Sequence, residues 1–243
     1  MREGDIPARH STVTPQFASY DEYLRAEWAL FSSNPARAAS TLDAVQHIPV
    51  ARVLDVGCGA GQELRPLLND VRRFGIGIDT SPEVGRAGRA LYASEQPGSH
   101  VAFVRGTAER LPFQTAAFDA VICRLALPYM DNARALEEIA RVLRPGGVLI
   151  LKFHHARFYL RELREALAAG RMRSAVHACR VLVAGSVYHV SGLQPRGRFT
   201  GGETYQTLWL LRRILAGHRL QIQRSLADST RATPSVLAER LGA

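Results

Sequence analysis

Lysine is nearly missing from this chain: Lys152 is the only one, and the remaining basic residues of the 31 are arginines. A bias of that kind reads first as a habit of codon composition and only second as a binding signature. Cysteine is scarce as well. Cys58, Cys123 and Cys179 form neither a disulfide framework nor a metal-ligand spacing, and two of them end apolar runs that read as buried. This excludes a disulfide-stapled secreted domain, leaves no metal site to expect, and makes a reducing cytoplasm the expected compartment. No stretch approaches the roughly 20 apolar residues of a spanning helix, and the first residues lack the basic-then-apolar pattern of a signal peptide. Repeats and low-complexity tracts are missing too. Acidic residues are scarce in one region only: up to Leu151 there are 16 basic and 17 acidic residues, and after it 15 basic and 5 acidic. The net charge of +9 therefore belongs to the last 92 residues.

What is present is an ordinary globular composition, 47% hydrophobic and 22% charged over 243 residues. It suits one domain of residues 16–243 with an insertion, behind a poorly ordered leader over residues 1–15. Apolar residues at Phe17, Tyr20, Leu24, Trp28 and Phe31 fall at helical spacing, and a second helix is expected from Pro35 to Val45. Together, residues 16–48 read as an N-terminal helical cap, as lid or as plain packing. The core, residues 49–153, alternates strand and helix. Strands are expected near 51–56, 74–79, 101–105, 117–123 and 147–153, and helices near 61–69, 82–95 and 132–143. Such runs describe a mostly parallel sheet with helices on both faces. A helical insertion, residues 154–202, follows, with helices near 156–168 and 172–187 and a loop through Gly192, Pro195, Arg196, Gly197 and Arg198. A helix near 203–216, a strand near 219–226 and an element near 235–241 close the sheet.

Chemistry concentrates where strands end. Gly57, Gly59 and Gly61 follow the apolar run Val53-Leu54-Asp55-Val56 and let a ligand lie against the main chain. Asp79 closes Gly75-Ile76-Gly77-Ile78-Asp79, where a carboxylate offers two acceptors to a ribose diol; its alternative is a helix cap for the segment at Ser81-Pro82. Two further blocks are Gly106 to Phe113, followed by Phe118-Asp119-Ala120-Val121, and Leu143-Arg144-Pro145-Gly146-Gly147-Val148-Leu149.

On these four ordered blocks, residues 50–152 resemble the class I S-adenosylmethionine-dependent methyltransferases, and are similar in pattern to the small-molecule group that includes the ubiquinone and menaquinone C-methyltransferases. The resemblance implies an α/β, Rossmann-like, mostly parallel seven-stranded sheet and S-adenosyl-L-methionine as cofactor. It assigns Asp55, Gly57, Cys58, Gly59 and Gly61 to the methionine side of the cofactor, Asp79 to the ribose hydroxyls, and Thr80 with Ser81 to the adenosine. Thr107, Ala108 and Glu109 would border the adenine, with Thr107 standing where the family often has Asp. Arg124 and Leu125 would lie under the reacting centre. A nicotinamide enzyme is disfavoured, since its glycines follow G-x-G-x-x-G and here the spacing is G-x-G-x-G.

Methyl transfer is an in-line displacement that needs a base only if the acceptor must lose a proton. His154 and His155, leaving the fifth strand, are the catalytic candidates, against the reading of two polar residues without a role; Tyr129 is a weaker candidate. In the insertion, Arg157, Arg161, Arg164 and Arg171 fall on one helical side and Ala156, Leu160, Leu163 and Leu167 on another. Val176, Cys179, Val183 and Val187 repeat the apolar stripe. This pattern reads as a lid over an apolar substrate, as a face resting on an anionic membrane surface, or as a solvated surface. The acceptor expected is a small molecule. DNA is not expected as a partner, since Leu125-Ala126-Leu127-Pro128-Tyr129 stands where nucleic-acid enzymes carry Asn or Asp followed by Pro-Pro-Tyr. An RNA methyltransferase and a non-catalytic binding protein using the basic half remain the alternatives.

Overall fold

The computed structural model describes residues 19–195 and 202–242. The leader over 1–15, Phe17 of the first helical run, and Arg196, Gly197 and Arg198 of the glycine- and proline-containing loop lie outside them. Two helices come first, α1 (Tyr20–Ser32), capped by Ser19, and α2 (Pro35–Val45), capped by Asn34 with Pro35 in the first turn. The sheet follows as β1 (Arg52–Val56), β2 (Phe74–Asp79), β3 (Val101–Arg105), β4 (Phe118–Arg124) and β5 (Leu143–Lys152). Its helices are α3 (Pro82–Glu95) and α4 (Asn132–Val142). Then come α5 (Ala156–Ala168), α6 (Met172–Ser191), α7 (Leu208–Gly217), β6 (Leu220–Ser225) and β7 (Ser235–Arg240).

The strands form one sheet in the order β3-β2-β1-β4-β5-β7-β6, with β7 antiparallel to both its neighbours and the other pairs parallel. Its central strands are apolar throughout because both faces are covered. Leu54, Val121, Cys123, Leu149 and Leu151 enter the core shared with α4 and α7, and the alternating Val53, Ala120, Ile122, Val148 and Ile150 enter the core shared with α1, α2 and α3. The period of two also sorts the strand ends: Asp55, Arg124 and Lys152 continue the second set, so three charged residues meet the α1–α3 side. Reversal of strand order between β1 and β4 opens the crevice in which ligands of such sheets bind.

Two expected helices differ. Residues 61–69 form consecutive tight turns and a single 3₁₀ turn, Leu67–Asn69, in place of an α-helix. Pro66 has no N–H for the Gln62 carbonyl, which instead accepts from Arg65 N at 3.3 Å, and proline also disfavours helix at the residue before it. The helix expected from 203 starts at Leu208, capped by the Thr207 side chain. Residues Thr204 and Gln206 are spent on main-chain bonds, Thr204 N to Pro128 O at 3.2 Å and Gln206 N to His154 O at 2.9 Å, which hold this segment against the loops after β4 and β5.

The insertion keeps its two helices, but their inner faces are not the expected ones. α5 buries Tyr159 and Ala166 and leaves Leu160 and Leu167 exposed. α6 buries Ala175, Ala178, Val181, Ala184, Gly185 and Tyr188, while Val176, Cys179, Val183 and Val187 face outward. The reason is close packing: a Cβ on Gly185 would stand 2.3 Å from the Tyr205 ring, so the small-residue side lets the backbone approach.

Candidate active site

The glycine loop leaves β1 with its first two turns pinned to the neighbouring strand: Gly57 N and Cys58 N both donate to Ile78 O, at 2.9 and 3.2 Å. Gly57 (φ +70°) and Gly61 (φ +80°) take left-handed conformations with no room for a side chain. A Cβ would meet Ala126 Cβ at 2.4 Å in the first case and the Phe103 ring at 2.9 Å in the second. The second motif serves the first: a Cβ on Gly77 would lie 2.7 Å from Cys58 Sγ, so a glycine in β2 is what lets Cys58 sit inward. Burial, then the Asp55 and Asp79 carboxyls, pushes the Cys58 thiol well up, which makes it a packing group and not a nucleophile.

Asp79 joins loop and strand. Its Oδ2 accepts from Gly59 N at 3.3 Å and its Oδ1 from Ser81 N at 3.0 Å, while the cap of α3 is the Ser81 hydroxyl, which accepts from Glu83 N. The capping alternative considered for Asp79 therefore falls to Ser81. Thr80 follows Asp79, and its carbonyl accepts from Arg105 Nε at 3.2 Å. After β3, Thr107 pairs across a tight turn with Arg110, Ala108 is buried, and Glu109 Oε1 accepts from Asp131 N at 2.8 Å. Leu125 takes a left-handed conformation (φ +59°), its N–H held by Lys152 O at 2.7 Å.

Arg124 is nearly solvent-free and lies in a chain of charges that spacing alone did not reveal. Its Nε is 3.2 Å from Glu63 Oε1, and its Nη2 pairs with Asp228. Glu63 in turn accepts from Arg37 Nε at 2.6 Å and lies 3.5 Å from the Thr41 hydroxyl. Asp228 accepts from Ser40 Oγ and Lys152 Nζ, both at 2.8 Å. The chain ties α2, the turns after the glycine loop, the ends of β4 and β5, and the β6–β7 connection. Burial, with Arg124 and Arg37 nearby, brings the Lys152 ammonium down to about 8, against the pull of Glu63. Asp55, fully buried beside Glu63, has its carboxyl pushed well up by burial first and by that neighbour second.

Among the described residues, Asp55 Oδ2 and Gln62 Oε1 are buried beside the loop and have no protein partner. Buried acceptors rarely stay unpaired, and a ligand bearing an ammonium would satisfy them. Together with Asp79 facing the main chain of the glycine loop, they fit an adenosyl amino acid.

His154 and His155 sit apart in role. His154 is buried, stacked 4.1 Å from the Phe158 ring, with Nδ1 3.4 Å from the Tyr159 hydroxyl, which donates to Glu203 Oε1 at 2.7 Å. The other Glu203 oxygen lies 3.3 Å from His177 Nε2. Burial holds His154 down to about 4, so its imidazole is neutral at pH 7. His155 caps α5 by accepting from Arg157 N at 3.2 Å, and its pKa is lowered by partial burial, Arg157 and His189. Tyr129, in the 3₁₀ turn Leu127–Tyr129, is exposed. Among the described residues no three His, Cys, Asp or Glu side chains gather as metal ligands would. Nor, among those residues, is any helix long and apolar enough to cross a membrane.

A sheet in the order 3-2-1-4-5-7-6 with strand 7 reversed, and a glycine loop facing an acidic residue across strands 1 and 2, define the class I methyltransferase fold. Residues 54–151 match the family described as Methyltransferase domain. Over that stretch the chain is similar to S-adenosylmethionine-dependent methyltransferases, whose fold it shares. It is 34% identical over 156 residues to a demethylmenaquinone methyltransferase of Deinococcus radiodurans, covering 61% of this chain and 62% of that one. Over 106 residues it is 38% identical to the methyltransferase YcgJ of Bacillus subtilis, covering 43% and 41%. The chain thus spans less than two thirds of these relatives' lengths. Magnesium protoporphyrin IX methyltransferase of Synechocystis, solved with bound S-adenosylhomocysteine, shares the fold with a TM-score of 0.58 at 19% identity, over 93% of this chain and 90% of that one.

Proposed function

We propose that this protein transfers a methyl group from S-adenosylmethionine to a small, apolar or aromatic molecule by in-line displacement. The observation that carries the reading is the pairing of Asp79 with Gly59 N–H at the crevice between strand ends, with Asp55 and Gln62 holding unpaired acceptors alongside. Asp79 would take the ribose hydroxyls in place of the Gly59 and Ser81 amides, Asp55 and Gln62 the amino group, and Thr107, Ala108 and Glu109 would border the adenine. The cofactor supplies a methyl on a sulfonium; the protein's part is to hold donor and acceptor in line and keep water away.

The choice of an apolar or aromatic acceptor rests on the aromatic side chains Phe153, Tyr159 and Tyr205 gathered around the exit of β5, where the acceptor sits in this fold. His154 there acts as a positioning group. A neutral imidazole with so low a pKa is a poor proton acceptor, yet it holds a hydrogen bond to a substrate hydroxyl or carbonyl well.

Calorimetry with S-adenosylmethionine tests the cofactor site. Asp79→Ala should weaken binding by about 1.5–3 kcal/mol, or 10- to 150-fold, the worth of hydrogen bonds to a charged acceptor. Unchanged affinity would remove Asp79 from the site, and no binding by the native protein would sink the enzyme reading. His154→Ala should leave cofactor affinity intact and lower turnover.

A further inference from the structure

α6 carries two apolar faces, and the fold uses one. Its inner side is closed by alanines, Gly185 and Tyr188. On its outer side Met172, Val176, Cys179, Val183, Val187 and Val190 are exposed. At 3.6 residues per turn these six fall within an arc of about 80° and run for about 27 Å along the helix. Leu193 prolongs the strip beyond the helix end; it is 76% exposed and Val190 is 92% exposed. A helix that merely faced solvent would carry polar residues there, and a contiguous apolar strip rimmed by charge marks a contact surface.

The charges say which contact. α6 contains no acidic residue, and Arg173 and Arg180 lie along one margin of the strip. The exposed positions of α5 and of the turn to α6 add Arg157, Arg161, Arg164 and Arg171, against the single exposed acid Glu165. An antiparallel second copy laid strip to strip would set the Arg173 and Arg180 margin against itself. Nor does the strip offer the large aromatic anchors on which protein interfaces turn. Short side chains in a straight, narrow line with arginines along one margin suit a flat anionic surface whose interior is apolar. α6 is not apolar enough to cross a bilayer, which leaves lying on it.

We propose that α6 rests on an anionic lipid surface, its valine strip in the boundary between headgroups and acyl chains and Arg173 and Arg180 on lipid phosphates. This surface stands on its own observations and does not depend on the methyl-transfer reading, so cofactor binding and lipid binding can fail separately.

The test is sedimentation of the full chain with vesicles of phosphatidylcholine containing about 30% phosphatidylglycerol, compared with phosphatidylcholine alone. Binding to the anionic vesicles is expected, reduced at least tenfold with neutral vesicles or in about 0.5 M salt, where screening is strong. Val183→Glu with Val190→Glu, both at exposed sites, should reduce it at least tenfold while the circular dichroism spectrum stays unchanged. Should that pair fail to fold, Arg173→Gln with Arg180→Gln carries the same expectation. The proposal falls if the native protein ignores anionic vesicles or binds neutral ones equally well. It falls too if ultracentrifugation shows a dimer that the glutamates dissolve.

Discussion

Glu63→Gln probes the charge chain with almost no change of shape. Glu63 is 3% exposed and stands between two guanidinium groups, Arg37 Nε at 2.6 Å and Arg124 Nε at 3.2 Å. The amide fills the same space, so no cavity term enters. What is lost is the negative charge between two cations, leaving Arg124 and Lys152 to share Asp228 and Arg37 facing a neutral amide. Removing one partner of a buried pair costs about 3–5 kcal/mol. Part of this returns through Asp55, whose carboxyl is pushed up by burial and then by Glu63; removing Glu63 relieves the second push. A net loss of about 3 kcal/mol should lower the urea midpoint by about 1 M at unchanged slope, for a slope near 3 kcal/mol per molar. Adding Arg37→Met should recover part of the loss, since the pair would then be removed together. A Glu63→Gln midpoint within about 0.2 M of the native one, or strictly additive losses in the double variant, would refute the reasoning.

Two further outcomes follow from the insertion. His154 has a folded-state pKa of about 4 against about 6.5 for the free side chain, so the unfolded chain binds a proton the folded one refuses. Its contribution to stability should be intact above pH 6.5 and fall by about 3 kcal/mol as the pH drops to 4; an equal pH slope in His154→Gln, measured by denaturation across that window, would contradict this. Gly185→Ala should lower the melting temperature, costing about 1–3 kcal/mol, although alanine in an exposed helix would add about 1. A rise in melting temperature would mean that Tyr205 yields freely to the added Cβ placed 2.3 Å from it.

The sheet was legible in the sequence because strands buried on both faces announce themselves as apolar runs, and Pro82 and Pro35 mark their helix starts without ambiguity. The segment after Gly61 misled, since Leu64, Leu67 and Leu68 carry helical spacing while Pro66 denies the hydrogen bond. In α6 the periodicity was right and the orientation inverted: valines outweigh alanines on any hydropathy scale, but backbone approach over Tyr205 decided which side went in. Glu63 and Asp228 could not be found from spacing. Their partners are remote in sequence, Ser40 Oγ reaching Asp228 across 188 positions, and a lone acid in a turn looks the same whether solvated or buried.

That last span has a consequence for how the molecule assembles. Closing a loop of 188 residues costs on the order of 4–5 kcal/mol of chain entropy, far more than the Ser40 hydrogen bond returns. The sheet must therefore bring residue 228 to the strand ends before α2 can be fastened there. The N-terminal helices can pack on β1 and α3 through Trp28 and the Arg37–Glu63 pair beforehand, so the Ser40–Asp228 bond is a late fastening of an element already in place.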